Sequence, residues 1–357
     1  MKVEPGRLFA RLYQQSEPPL QQRRRLLIAL GAGTFTGGLV GELTSGTAAH
    51  AQGNAPPARI GIIVPTNAAA AATATRLPAF KQGMFDNGLI EGRHYVLDVV
   101  YAEGQSERFP ALVKELLQRA PTVIMVNTIA AVRAAQQATR TVPIVMIGVN
   151  DPVGTGLVAS LARPGGNTTG QSTQGEDTSA KFVEFIHEAL PRAKRIALLT
   201  NPGNASHQKL GEQVRVAALK FGIETRAFEA TTPAALDAAF AAIAKQQPEA
   251  LVVLNDAMLN TEPQRISAFA LKHRIAAFGP FAEFADSGGL LSYGPSILDL
   301  YRRSATYVKK ILAGAKPADL PIEQPTKFEM VINQKTAKAL NIKIPYALLI
   351  QAERVIE

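Results

Sequence analysis

Polar side chains suited to binding a small molecule follow almost every predicted β-strand of this chain. Each group comes directly after an apolar run, at the point where a strand would end. In an open parallel sheet the carboxyl ends of the strands form the crevice that receives a ligand. The candidate ligand-binding residues are Thr66, Asn67, Asn127, Thr128, Asn150, Asp151, Asn201, Asn255, Asp256 and Tyr293. Any single Asn, Asp or Thr among them is also a preferred helix N-cap, so it is the whole set that predicts a binding cleft.

These residue types suit a small zwitterion such as an amino acid. Thr128 ends one strand and opens a helix, so its hydroxyl and the nearby backbone N–H groups favour a carboxylate. Asp151 and Asp256 follow corresponding strands of the two halves, and either is placed to face an ammonium group. Tyr293 is expected to stack on an apolar or aromatic side chain of the ligand. On this hypothesis, replacing the correct aspartate by alanine weakens binding and leaves the melting temperature of the free protein nearly unchanged.

Motifs for catalysis, cofactor binding and metal binding are absent from the sequence. It has no G-x-S-x-G elbow, no G-x-x-x-x-G-K-[ST] loop, no EF-hand and no cysteine. The histidines lack a metal-ligand spacing such as H-x-x-x-H and are expected at the surface. We therefore predict a binding protein with no cofactor and no metal, rather than an enzyme. A hydrolase or isomerase that uses Asp151, Asp256 or Glu283 is the enzymatic alternative.

The segment Pro143–Thr173 separates two similar series of alternating strands and helices. It begins with the apolar run Ile144–Val149, typical of a strand buried on both faces, and a new strand is predicted to begin at Thr168. Alternation of strands and helices predicts parallel sheets with right-handed crossovers. We predict an α/β protein with two Rossmann-like lobes joined by a hinge that the chain crosses several times. The predicted boundaries are 58–165 with part of 288–325 for the first lobe, and 166–287 with part of 326–357 for the second.

The first 51 residues have the three parts of a secretory signal. Arg23, Arg24 and Arg25 precede an apolar, glycine-rich run at 26–41, and the segment ends in Ala49-His50-Ala51. The paired arginines also loosely match a twin-arginine export signal. We predict cleavage near Ala51 and a periplasmic mature protein. The alternative is a short membrane anchor, although the apolar run is shorter than the ~20 residues of a membrane span.

The charge of the chain does not indicate nucleic-acid binding. The formal net charge is +9, and the first 51 residues contribute six Lys/Arg and three Asp/Glu, which leaves +6 for the rest. These charges are scattered and form no arginine cluster with interleaved aromatic residues, so nucleic acid is not a predicted partner.

Three segments carry a resemblance to a known family. They are IGIIVPTN at 60–67, DPVGTGLVASLARPGGNTTG at 151–170 and AKPADLPIEQPTKFE at 315–329. They resemble the bacterial ABC-transporter substrate-binding proteins, a family that includes tryptophan- and tyrosine-type binders. The resemblance implies a type I periplasmic binding protein, whose two lobes are joined by three crossings and close on a small amino-acid-like or aromatic ligand. It also implies an inner-membrane ABC permease as partner and a monomeric state; a periplasmic sensor that feeds a receptor kinase is the alternative.

Overall fold

The computed structural model describes residues 56–69 and 71–357. The predicted signal segment 1–51 and its cleavage position lie outside these residues. Within the described part of the chain, no helix is long and apolar enough to cross a membrane.

The first sheet is formed by the strands β1 (Ala58–Val64), β2 (Tyr95–Tyr101), β3 (Val123–Val126), β4 (Ile144–Val149) and β5 (Thr168–Ser172). They lie parallel in the order β2-β1-β3-β4-β5. The helices that connect the first four strands are α1 (Ala71–Asp86), α2 (Phe109–Gln118) and α3 (Ile129–Ala138). Every residue of β3 and β4 is buried, as expected for central parallel strands that are covered on both faces.

The second sheet is formed by β6 (Arg195–Thr200), β7 (Glu224–Glu229), β8 (Ala250–Val253), β9 (Ala276–Gly279), β10 (Leu291–Pro295), β11 (Phe328–Asn333) and β12 (Arg354–Ile356). Their order is β12-β11-β10-β9-β8-β6-β7, and only β10 and β11 pair antiparallel within it. The remaining helices are α4 (Gly175–Ala189), α5 (His207–Leu219), α6 (Leu236–Gln246), α7 (Pro263–Lys272), α8 (Ala282–Asp286), α9 (Ile297–Leu312), α10 (Gln334–Leu340) and α11 (Tyr346–Leu349). Two mostly parallel sheets with helices between their strands confirm the predicted α/β fold.

Apolar stripes on the helices cover the sheets. In α2 the stripe consists of Phe109, Leu112, Val113 and Leu116, which are all buried against the first sheet. Their spacing of three and four residues places them on one side of the helix. Burial of each such side chain contributes about 1.5–3 kcal/mol to the stability of the fold. This packing holds the helix on the sheet and so fixes where its neighbouring strand ends.

The chain passes three times between the two halves of the fold. We call the first sheet with α1–α3 and α9 lobe 1, and the second sheet with the other helices lobe 2. The first crossing follows β5, which pairs with β4 and therefore extends the first sheet to Ser172, past the boundary predicted between residues 165 and 166. The other two crossings flank α9, because α9 packs on α1 and β4 whereas its neighbours β10 and β11 belong to the second sheet.

Candidate functional site

A cavity of about 290 Å³ lies between the two lobes. The predicted ligand-binding residues that line it are Thr66, Asn127, Thr128, Asn150, Asn201, Asn255 and Asp256. They follow β1, β3 and β4 of lobe 1 and β6 and β8 of lobe 2, so the strand ends of both sheets face one space. Its volume is close to the lower end of the range of about 300–1,000 Å³ found for small-molecule sites.

Asn67 and Tyr293 do not line this cavity. Asn67 is exposed, and its carbonyl oxygen accepts a hydrogen bond of 2.9 Å from the Thr73 hydroxyl. Tyr293 lies within β10 and not at its end, and its ring packs 5.2 Å from the ring of Phe185 and 5.8 Å from that of Phe328. Its side chain therefore belongs to the core of lobe 2, and the structure does not place it for stacking on a ligand in the cavity.

Asp151 also lies outside the cavity lining, in the turn that follows β4. Its Oδ1 accepts a hydrogen bond of 2.9 Å from the N–H of Gly154, and its Oδ2 accepts one of 3.0 Å from Nζ of Lys209. Burial raises the pKa of the carboxyl, but these hydrogen bonds outweigh burial and hold the pKa below its ordinary value. Lys209 is on α5 of lobe 2, so Asp151 pairs across the lobes with a protein cation instead of facing a ligand ammonium group.

Asp256 lines the cavity, but its carboxylate already has several protein partners. Its Oδ1 accepts hydrogen bonds from the backbone N–H groups of Met258 (2.9 Å) and Leu259 (3.2 Å) and from Nδ2 of Asn201 (3.1 Å). Its Oδ2 accepts from Nδ2 of Asn204 at 3.0 Å. With the side chain only 5% exposed, Asp256 ties the loops after β6 and β8 together.

His207 also connects the loop after β6 to the loop after β8. Its Nδ1 accepts a hydrogen bond of 2.8 Å from the N–H of Asn201, and its Nε2 lies 3.1 Å from the carbonyl oxygen of Asn255. These contacts require the neutral tautomer with the proton on Nε2. Burial lowers the pKa of His207, against the opposing effects of Asp256 and of the Asn255 carbonyl. The expectation of a surface position is wrong for this histidine, which is 4% exposed.

On the lobe 1 side of the cavity, some hydrogen-bonding groups have no partner among the described residues. Asn150 is 5% exposed, and its Oδ1 accepts from the N–H of Gly175 (2.9 Å) and from the hydroxyl of Thr173 (3.1 Å). These two bonds fix the orientation of the amide, and its buried Nδ2 has no partner among the described residues. Thr128 caps α3 by accepting from the N–H of Ala131 at 3.1 Å. The N–H groups of Ile129 and Ala130, which begin the helix, have no intrahelical partners.

Arg76 and its partner Glu283 are site residues that the sequence did not reveal as a pair. Arg76 lies on α1 and lines the cavity, and its Nη2 donates a hydrogen bond of 3.1 Å to Oε1 of Glu283 on α8. The two residues are 207 positions apart, so no local spacing connects them. The only available signal was that α1 follows the strand end at Thr66. Glu283, one of the three acids named for the enzymatic alternative, is an ion-pair partner across the lobes.

In the part of the chain that the structure describes, no group of three or more His, Cys, Asp or Glu side chains is arranged to hold a metal ion. The hydrogen-bonding groups around the cavity are suited to an organic molecule with polar atoms.

Two α/β lobes with three crossings and a polar cavity between them define the type I periplasmic-binding-protein fold. Residues 59–356 match the family model described as ABC transporter substrate binding protein, and the chain belongs to this family. The match confirms the resemblance carried by the three sequence segments. It also agrees with the prediction of a binding protein rather than an enzyme.

Known proteins are similar to this chain in sequence and in structure. The Tyrosine-binding protein of Clostridioides difficile (strain R20291) is 24% identical over 264 residues, which cover 74% of this chain and 76% of that protein. A conserved domain protein from Vibrio cholerae has a TM-score of 0.77 at 27% identity, over 84% of this chain and 100% of that one. A domain from Streptococcus pneumonia in complex with L-Trp also has a TM-score of 0.77, at 23% identity and the same coverage.

Proposed function

We propose that this protein is the periplasmic solute-binding component of an ABC importer. It captures a small amino-acid-like ligand between its two lobes and delivers it to an inner-membrane permease. It acts as a monomer, and it reaches the periplasm after removal of the signal segment near Ala51.

The observation that carries this proposal is the polar cavity between the strand ends of the two lobes. A ligand in this position touches both lobes at once, so its binding energy favours the closed arrangement. The first turn of α3, with Thr128 as its cap, offers N–H groups and a favourable dipole to a carboxylate. The buried Nδ2 of Asn150 is a further donor on the same wall.

The relatives support an amino acid as the ligand class. One of them is named as a tyrosine-binding protein, and another is known in complex with L-Trp. Membership of the ABC transporter substrate binding protein family supports delivery to a permease.

A ligand screen tests the proposed function. The purified protein is unfolded first, to remove any bound solute, then refolded and mixed with each of the common amino acids. At least one amino acid should raise the melting temperature and bind with 1:1 stoichiometry in calorimetry; saturation at 100 times Kd adds about 2.7 kcal/mol of stability. If no amino acid binds, and mass spectrometry of the native preparation identifies a different class of solute, the proposal is wrong.

The location is tested separately. N-terminal sequencing of protein from the periplasmic fraction should give a first residue at or near Gln52. Recovery of the chain from the membrane fraction with Met1 intact would contradict the proposed location and leave ligand binding unaffected.

A further inference from the structure

Arg76 is an arginine with unused donors on the cavity wall. Its Nη2 is engaged by Glu283, but its buried Nε has no partner among the described residues. The side chain is 14% exposed and is held in place by the ion pair across the lobes. A guanidinium with free N–H groups in a buried position is suited to a carboxylate, because hydrogen bonds between charged groups are the strong ones.

A second group of donors belongs to residues that line the cavity after the next strands along the sheet. It consists of the buried Nδ2 of Asn150 and the first turn of α3. Arg76 follows β1, whereas these donors follow β3 and β4, and the sheet order places the three strands side by side. Neighbouring strands are about 4.8 Å apart, and both donor groups belong to residues that line the same cavity.

Two of the acceptors that line the cavity belong to Asp256 and Asn127. The carboxylate of Asp256 accepts four hydrogen bonds from the protein. Asn127 donates through Nδ2 to the hydroxyl of Tyr301 at 3.1 Å, and its buried Oδ1 is left without a partner among the described residues. This amide oxygen is an acceptor that none of the described protein groups uses.

Aromatic surface is scarce in the same cavity. Among the described residues that line it, Phe281 is the single aromatic one, and it is 9% exposed. An indole or phenol ring would therefore have little ring surface on which to stack, while the buried donors of Arg76 and Asn150 would remain unpaired.

We propose that the ligand is an amino acid with a second carboxylate, and that Arg76 binds the side-chain carboxylate and sets this specificity. This inference rests on the proposed function, since it names the class of amino acid bound at the same site. Discrimination is a difference in affinity, so it is measured with pairs of ligands that differ by one carboxylate.

The experiment compares L-glutamate with L-glutamine and L-aspartate with L-asparagine, by calorimetry on ligand-free protein. For at least one pair the acid should bind more tightly than its amide, by about 10- to 100-fold. Arg76→Gln should remove this preference by weakening binding of the acid and leaving binding of the amide within about threefold. Arg215→Gln, which removes the same charge from an exposed ion pair with Glu212, should leave the preference unchanged.

A double variant controls for loss of folding, and further ligands test the amino-acid part of the inference. Arg76→Gln leaves the carboxylate of Glu283 without its partner, so the melting temperature of this variant is measured as well. If the single variant unfolds, the double variant Arg76→Gln/Glu283→Gln is used in its place. Glutarate, which has both carboxylates and no ammonium group, should bind more weakly than glutamate; equal binding would overturn the amino-acid part of the inference. If tyrosine, tryptophan or neutral amino acids bind at least as tightly as the acids, the inference is wrong and the proposed function stands. If no amino acid binds, the inference and the proposed function are both wrong.

Discussion

His207 is the titratable group on which the wall of lobe 2 depends. It connects the N–H of Asn201 to the carbonyl of Asn255, and both of these residues line the cavity. Protonation would put a second N–H on the ring and destroy the acceptor that Asn201 uses. The position of two site residues is thereby linked to the protonation state of one buried side chain.

We predict that the protein loses stability in mild acid because of His207. Its folded-state pKa lies below the ordinary value of 6.5, so on acidification the unfolded chain takes up the proton first. The contribution is fully present above pH 6.5 and decreases below it, by up to about 1.4 kcal/mol per pH unit. Denaturant unfolding between about pH 7.5 and pH 5.5 should show this slope for the wild type and a flatter one for His207→Gln.

The control for this prediction is His273→Gln. His273 is exposed, so this variant should keep the slope of the wild type. An unchanged slope in His207→Gln would show that the buried histidine is not the source of the acid sensitivity.

For Asp256 the structure reverses the expectation of an unchanged melting temperature. Asp256→Ala would leave the N–H groups of Met258 and Leu259 and two asparagine amides without their acceptor. We predict a loss of at least about 2 kcal/mol in the free energy of unfolding without ligand, together with weaker ligand binding. Asp237→Ala, at a side chain that is 76% exposed, should change stability by less than about 0.5 kcal/mol. Equal stability of the two variants in calorimetric melting would contradict this account.

The helices α1 and α9 pack closely against each other in lobe 1. A Cβ atom added at Gly83 of α1 would lie 2.0 Å from the carbonyl oxygen of Arg302 on α9, so the two helices approach at a position where only glycine fits. The helix α9 lies between two crossings of the chain.

Two glycines in helices allow a matched test of this contact. Gly83→Ala should destabilise the protein by at least about 2 kcal/mol, because the clash is with backbone that cannot rotate away. Gly211→Ala in α5, where an added Cβ meets nothing within 4 Å, should instead stabilise it by roughly 0.5–1 kcal/mol through helix propensity. Thermal melting of the two variants should shift in opposite directions. Equal shifts would mean that the close approach of α1 and α9 is not a constraint.

The two lobes are joined by ion pairs as well as by the crossings. Arg76 of lobe 1 pairs with Glu283 of lobe 2, and Asp151 of lobe 1 pairs with Lys209 of lobe 2. Lys209 also contacts Glu176 at 2.8 Å within lobe 2, and these hydrogen bonds raise its pKa. The Asp151 contact lies outside the cavity lining, so it can stabilise the closed arrangement without touching the ligand.

We predict that Lys209→Met shifts the protein towards an open arrangement. Its side chain is 54% exposed, so the pair is worth about 0.2–1 kcal/mol after solvent screening. The variant should bind ligand up to about fivefold more weakly, mainly through faster dissociation, and the difference should shrink at high salt. Stopped-flow dissociation and small-angle scattering of the free protein measure both effects. Lys181→Met, which removes an ion pair within α4, is the control, and equal behaviour of the two variants would contradict the role of Lys209.

The sequence by itself determined the features that depend on local pattern. Period-3.6 stripes such as that of α2 and fully apolar runs such as β4 indicated alternating helices and strands, because burial of one face is encoded in neighbouring residues. The polar residues after those runs indicated the strand ends, and hence the cavity that Thr66, Thr128 and Asn201 line. Each of the three segments that carry the family resemblance is also an unbroken stretch of sequence, so it is recognised without the structure.

Only the tertiary structure decided what each side chain does at those positions. Tyr293 and Asp256 both looked like ligand contacts, but Tyr293 packs in a core against Phe185. Asp256 is used by four protein donors, of which the amides of Asn201 and Asn204 lie far away in the chain. The pairing of Arg76 had no local signal, because its partner Glu283 belongs to the other lobe and lies 207 positions away in the chain. Strand periodicity tells which residues reach the edge of a sheet; whether a polar group there remains free for a ligand depends on how the two lobes meet.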